Sequence, residues 1–261
     1  GLVRSPDNFG NLGQRPTHPE LLDWLARQFV ASGWSVKAMH RLIMLSSTYQ
    51  MSTRHDEAAA AIDPENRLYW RFNRRRLEAE AVRDALLAVA GGLRAGSPGT
   101  LMQTKNHAYV NTTGERGSIK YNEITHRTVY LPVIRSGLYE VLQAFDFADP
   151  SASNGQRVPT TVAPQALFML NDRLVLKSSE AMAGRLLARE GLDDRGRVEQ
   201  AYRLAYGRRP TEAEAARALG YLDRFNTFLV SGDMASTARP LRAWQTLCQA
   251  LLASSEFLYL D

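Results

Sequence analysis

Apolar side chains recur once per helical turn along most of the chain. Leu21, Leu22, Trp24, Leu25, Phe29 and Val30 make one stripe, and Val36, Met39, Leu42, Ile43 and Leu45 make a second. That spacing predicts two amphipathic helices. Thr17 with Glu20 reads as a capping box around Pro19, Gly33 as the stop, and Ser35 as the cap of the next helix. The short connection predicts an antiparallel pair. Leu77, Ala81, Val82, Ala85, Leu86 and Val89 predict a further helix, stopped by Gly91-Gly92. More helices are expected over 137–145, over 161–189 with a break at Asn171-Asp172, and over 194–205. Thr211 and Glu214 form another capping box, and Pro240 opens a last helix where Trp244, Leu247, Cys248, Leu251 and Leu252 share a face. On this pattern Trp24 and Trp244 both read as core.

The periodicity lapses between 93 and 126, a long glycine-bearing stretch of the kind that carries function or disorder. Thr128-Val129-Tyr130-Leu131-Pro132-Val133-Ile134 is β-branched and aromatic and reads as an edge strand or extended segment. The expected class is therefore mainly α: an orthogonal multi-helix bundle with a small β element in the middle of the chain, near 105–134. It is read as one domain, 1–261, with 1–150 and 151–261 as sub-lobes. Because it opens on Gly1 inside what reads as a motif, it is taken as a fragment of a larger protein.

Composition narrows the function classes. Hydrophobic residues make up 44% of 261 positions, enough to bury a core without disulfides or metals. The lone Cys248 excludes an internal disulfide and a cysteine-rich zinc site. No apolar run is long enough to span a membrane. The formal charge of +5 is a small excess scattered among acids, so nucleic acid is not expected; polyanion binding stands as a lesser alternative. Arg74, Arg75 and Arg76 precede Glu78 and Glu80 and read as a solvated, Glu-paired helix face.

The five histidines, His18, His40, His55, His107 and His126, show no metal-binding spacing. There is no haem-attachment motif, phosphate loop, dinucleotide fingerprint or nucleophile elbow. No metal and no cofactor is expected in this fragment. What remains is a loop-borne polar set. Asp146, Asp149 and His126 are the catalytic candidates, since paired carboxylates flanking a cleft suit glycoside hydrolysis. Arg127, Arg157, Asp7, His18, Gln165 and Asn171 are the substrate-binding candidates, toward a sulfated polysaccharide. The competing reading is that the acids cap helices and pair with arginines, holding loops to the core.

Several blocks resemble a known family. They are Ser5-Pro6-Asp7-Asn8-Phe9-Gly10, Pro16-Thr17-His18-Pro19-Glu20, Met44-Leu45-Ser46-Ser47-Thr48-Tyr49-Gln50, Asp63-Pro64-Glu65-Asn66-Arg67, Arg74-Arg75-Arg76-Leu77-Glu78, Pro164-Gln165-Ala166-Leu167 and Gly207-Arg208-Arg209-Pro210-Thr211. Together they are similar to the C-terminal domain of unknown function 1553 of large planctomycete proteins. The resemblance implies an exported, periplasmic or cell-surface protein of several domains. Relatives often carry a cytochrome c-like haem module, so sister domains of the same polypeptide are the implied partners. It implies no reaction. The first reading of function is a non-catalytic structural or interaction module.

Overall fold

A computed structural model describes residues 2–8, 10–101, 120–135, 137–231 and 235–260. The expectation of a mainly helical bundle with a small sheet is borne out. The helices are α1 (Pro19–Ala31), α2 (Val36–Met44), α3 (Glu57–Ile62), α4 (Ala79–Ala90), α5 (Glu140–Ala144), α6 (Ala163–Asn171), α7 (Arg173–Leu187), α8 (Asp194–Tyr206), α9 (Glu212–Ser231), α10 (Arg239–Leu252) and α11 (Ser255–Leu258). The sheet pairs two short strands, β1 (Arg75–Arg76) and β2 (Tyr259–Leu260). It therefore does not lie at 128–134, where Thr128–Tyr130 is a 3₁₀ turn that continues extended through Leu131. Pro132 has no amide proton for a ladder, and in the expected region only Arg94 and His126 form a bridge among the described residues. Residues 102–119 of that region lie outside the described set.

Contacts divide the chain into two compact units. The first comprises residues 1–75, 153–157 and 260–261; the second comprises 76–152 and 158–259.

The second unit is built around α7, against which α4 and α10 pack, with α9 against α10 and α8. Its helices begin and end where their caps dictate. Gly91 takes φ +77 at the end of α4, a left-handed turn that closes the last carbonyls. Asp172 stops α6 and accepts from the Leu174 amide to start α7. Thr211 and Glu214 form the expected box: the Thr211 amide donates to Glu214 (2.7 Å) and the Glu214 amide donates to Thr211 Oγ1 (3.3 Å). Arg208 adds forks to Glu214 and to Glu256, with its Nη2 2.8 Å from an oxygen of each. The Arg208 bonds, helped by the Thr211 amide, hold the Glu214 carboxyl down at about 2. Val82, Leu86, Leu142, Phe145, Val175, Met182, Leu186, Trp244 and Leu252 form the dry interior.

The first unit is organised differently. Helix α1 starts at Pro19 with His18 at the cap position and no side-chain cap; the Thr17 hydroxyl instead meets His18 Nδ1 (2.8 Å) and the Arg67 carbonyl. Ser35 caps α2 as expected, accepting from Ala38. None of α1, α2 or α3 contains a buried residue. The buried residues among those described in this unit are polar, Asp63 and Asn66. They tie a turn together. Asp63 Oδ2 accepts from the Leu68 amide (2.7 Å), and its carbonyl accepts from Trp70 Nε1 (2.8 Å). Asn66, at φ +52, bonds the Arg71 backbone on both sides and the Asn73 side chain. A short polar side chain tolerates that left-handed backbone because it bonds its own turn.

Candidate functional site

Two arginines of the second unit are swallowed by the fold, and each gathers a loop. Arg83 is fully buried on α4. It donates to the carbonyls of His126 (3.0 Å), Ile124 and Tyr121, and to the Thr128 hydroxyl (3.1 Å). Its neighbour Asp84 accepts from both the amide and the hydroxyl of Thr128. This pins 121–128 over α4.

Arg76 was expected on a solvated face, and the structure corrects this: its side chain is 3% exposed. Helix α4 starts only at Ala79, so Arg76 belongs to a strand and lies inside the fold instead of facing Glu80 across a helical turn. It donates to Asp146 Oδ2 (2.8 Å) and to the carbonyls of Phe145 (3.1 Å) and Thr160 (2.9 Å), with its guanidinium over the Phe145 ring. Asp146 stands at φ +57, a left-handed backbone that turns its carboxylate back onto Arg76. Oδ2 also takes the Thr160 amide (2.7 Å), and Oδ1 takes the Thr160 hydroxyl (2.9 Å). Gln165, buried in the first turn of α6, donates to Thr160 Oγ1 (3.3 Å) and accepts from the Val162 amide. Partial burial opposes ionisation of Asp146, but the Thr160 bonds and Arg76 outweigh it and hold the carboxyl below its ordinary range.

Within the second unit the sequence-derived residues do not all line one hollow. Asp146 and Asn171 line an open concavity of about 720 Å³ beside α5 and α6, with Glu140, Gln143 and Asp172 on its wall. Gln165 reaches Asp146 from behind. Asn171 is turned onto its own helix, donating to the Leu167 carbonyl (3.0 Å). Asp149 is exposed and accepts from the Ser151 amide two residues on, as a turn acid does. His126 contributes its carbonyl to Arg83, and Arg127 Nε lies 3.7 Å from Asp84.

Asp7, His18 and Arg157 belong to the first unit. His18 stacks on Tyr69 (5.6 Å between centroids). Asp7 abuts the backbone at Gly155 so closely that a Cβ there would lie 2.1 Å from its Oδ1. Only glycine fits at 155 without moving the Asp7 side chain.

A second hollow, in the first unit, was not foreseen. It holds about 500 Å³ and is lined by Leu21, Trp24 and Leu25 of α1, Leu42 and Ile43 of α2, and Tyr49, Tyr69 and Phe72 beyond them. Trp24, expected in the core, is 45% exposed, whereas Trp244 is 3% exposed. The stripe that identified α1 as amphipathic was correct; it faces this open groove. Spacing alone does not show whether such a stripe is covered, and here α1 and α2 contain no buried residue.

Among the described residues no group of acids, histidines or cysteines is arranged to hold a metal ion, and no helix is long and apolar enough to cross a membrane. A family model, for a protein of unknown function (DUF1553, PSD1), matches residues 1–222. No curated protein and no solved structure matches the chain.

Proposed function

The chain belongs to the DUF1553 (PSD1) family, and from that premise we propose that it is a non-catalytic interaction module whose docking face is the groove between α1 and α2. The observation that carries this reading is the exposure of Leu21, Trp24, Leu42 and Ile43 around one hollow. Contiguous apolar surface in contact with water marks a binding face more often than an accident of packing.

The loop acids support the same reading. A general acid needs a carboxyl that keeps its proton near neutral pH, with a free edge toward substrate. Asp146 has the opposite: both oxygens are engaged and its pKa is depressed. A glycosidase pair of Asp146 and Asp149 would need both to flank one cleft, and Asp149 is absent from the concavity's wall. Polyanion binding fares no better in the second unit, where Arg76, Arg195, Arg197, Arg203, Arg208 and Arg209 each lie against a carboxylate. The family resemblance supports an exported, multidomain setting, in which sister domains would be the partners in reach.

Carbene footprinting of the purified chain tests the proposal with an internal control. Trp24 and Leu42 should label heavily while Trp244 and Leu86 label hardly. A Trp24 as protected as Trp244 would remove the docking face. Turnover of a polysaccharide or glycoside that Asp146→Asn abolishes at a temperature where circular dichroism shows the variant still folded would make the chain an enzyme instead.

A further inference from the structure

We infer that the occupant of the first unit's groove is an amphipathic helix carrying carboxylates beside its apolar stripe. This rests on the docking role proposed above and names the chemistry of the partner.

Paired backbone groups along the groove disfavour an extended peptide. The long walls of the groove are helices, whose amides and carbonyls are already paired along their own axes. On the remaining wall Asn66 occupies both the amide and the carbonyl of Arg71, and the Phe72 amide donates to the Ser52 carbonyl. A strand laid here would find no ladder and would leave its own polar groups dry. A helix brings its backbone bonds with it and offers only side chains, which is what an apolar groove between two helices can receive.

Charge at the groove selects among helices. Of the residues lining the groove, the charged ones are Arg71 and Arg75, and no carboxylate lines it. Among the described residues neither arginine forms an ion pair. Arg71 lies over the Trp70 ring (4.6 Å) and beside His55 Nδ1 (3.4 Å), and its Nε is buried without a hydrogen-bond partner. Arg75 lies over Phe72 (5.7 Å). Two guanidiniums at an apolar hollow, lacking the carboxylate that Arg76 and Arg208 possess, are complementary to an acidic partner.

The extent of the face favours a macromolecule over a small amphiphile. Val36, Met44 and Leu45, on α2 and at its end, are each more than half exposed beyond the lining of the hollow.

The test uses the whole chain and two fluorescent model peptides of about five turns. One alternates leucine faces with glutamate, and the other has lysine at every glutamate position. In fluorescence anisotropy the acidic peptide should bind at least about tenfold more tightly, and raised salt should narrow the gap. Arg75→Glu should weaken the acidic peptide by about tenfold and strengthen the basic one; Arg75→Gln should weaken the acidic peptide alone. Circular dichroism melts confirm that the variants are folded, and if Arg75→Glu is not, Arg75→Gln carries the test. Equal binding of the two peptides, or acidic binding untouched at Arg75, would overturn the inference. So would failure of both peptides while dodecanoate binds. If the peptides fail although Trp24 labels as exposed, the partner chemistry alone is wrong. If Trp24 is protected, the docking face falls with it.

Discussion

Helices of the two units carry the same pattern to different ends. In the second unit Val82, Leu86, Phe145, Val175 and Leu252 are dry, whereas in the first Leu21, Trp24, Leu42 and Ile43 stand 38–45% exposed. The second unit buries a hydrophobic core and two arginines as well; the buried residues described in the first are Asp63 and Asn66. A stripe of apolar residues therefore states that a helix has a face. It does not state whether the face meets the same chain or another one.

Substitutions that remove matched groups from the two units sharpen that contrast. Phe145→Ala empties a site at the centre of the second unit and under the Arg76 guanidinium. It should cost about 3–5 kcal/mol by chemical denaturation. Asp146→Asn leaves Arg76, nearly inaccessible, without its anion. A loss of about 2–4 kcal/mol is expected, less than for a fully buried pair because Asp146 keeps 25% exposure.

Glu214→Gln should cost only about 1 kcal/mol, since Arg208 is 39% exposed and keeps Glu256. Its pH signature is more telling. The folded carboxyl sits at about 2, below the unfolded value of about 4.3. Its stabilisation is therefore complete above that unfolded value and is lost as pH falls toward 2. Denaturation at pH 7 and pH 3 should show wild type losing more than the Glu214→Gln variant; parallel losses would deny the Arg208 clamp its role.

Leu42→Ala closes the series. It should change stability by less than about 1 kcal/mol, as at a surface position, while Leu86→Ala costs several times that. A large loss at Leu42 would show that the first unit hides this face, and the contrast between the units would be gone.

Much of this fold was legible from periodicity and caps. The stripes at 79–90 and 239–252, the break at Asn171-Asp172 and the box at Thr211 all rest on interactions within a few residues, which sequence spacing records directly. The site was legible only as a list. Asp146 was singled out because it is an acid in a turn, but its partner lies seventy positions away in sequence at Arg76. No spacing rule encodes that approach. Arg76 looked like one of three surface cations because it closes a run of arginines followed by Glu78 and Glu80 at helical spacing. A strand alternates its faces, and the helical reading of that segment concealed the alternation. Val129 misled in the same way: its β-branching suits a strand, yet Arg83 and Asp84 draw the backbone at 126–128 into a turn.

The two sunken guanidiniums should part company in acid. Arg83 itself grips peptide oxygens and a hydroxyl, none of which gains a proton in any ordinary buffer, so on 121–128 acid reaches only the bonds that Asp84 accepts from Thr128. Arg76 pairs directly with a carboxylate, and one proton there removes the ion pair that backs its bonds to the Phe145 and Thr160 carbonyls. Acid should thus loosen the Asp146 flank of the second unit more than the flank that Arg83 holds.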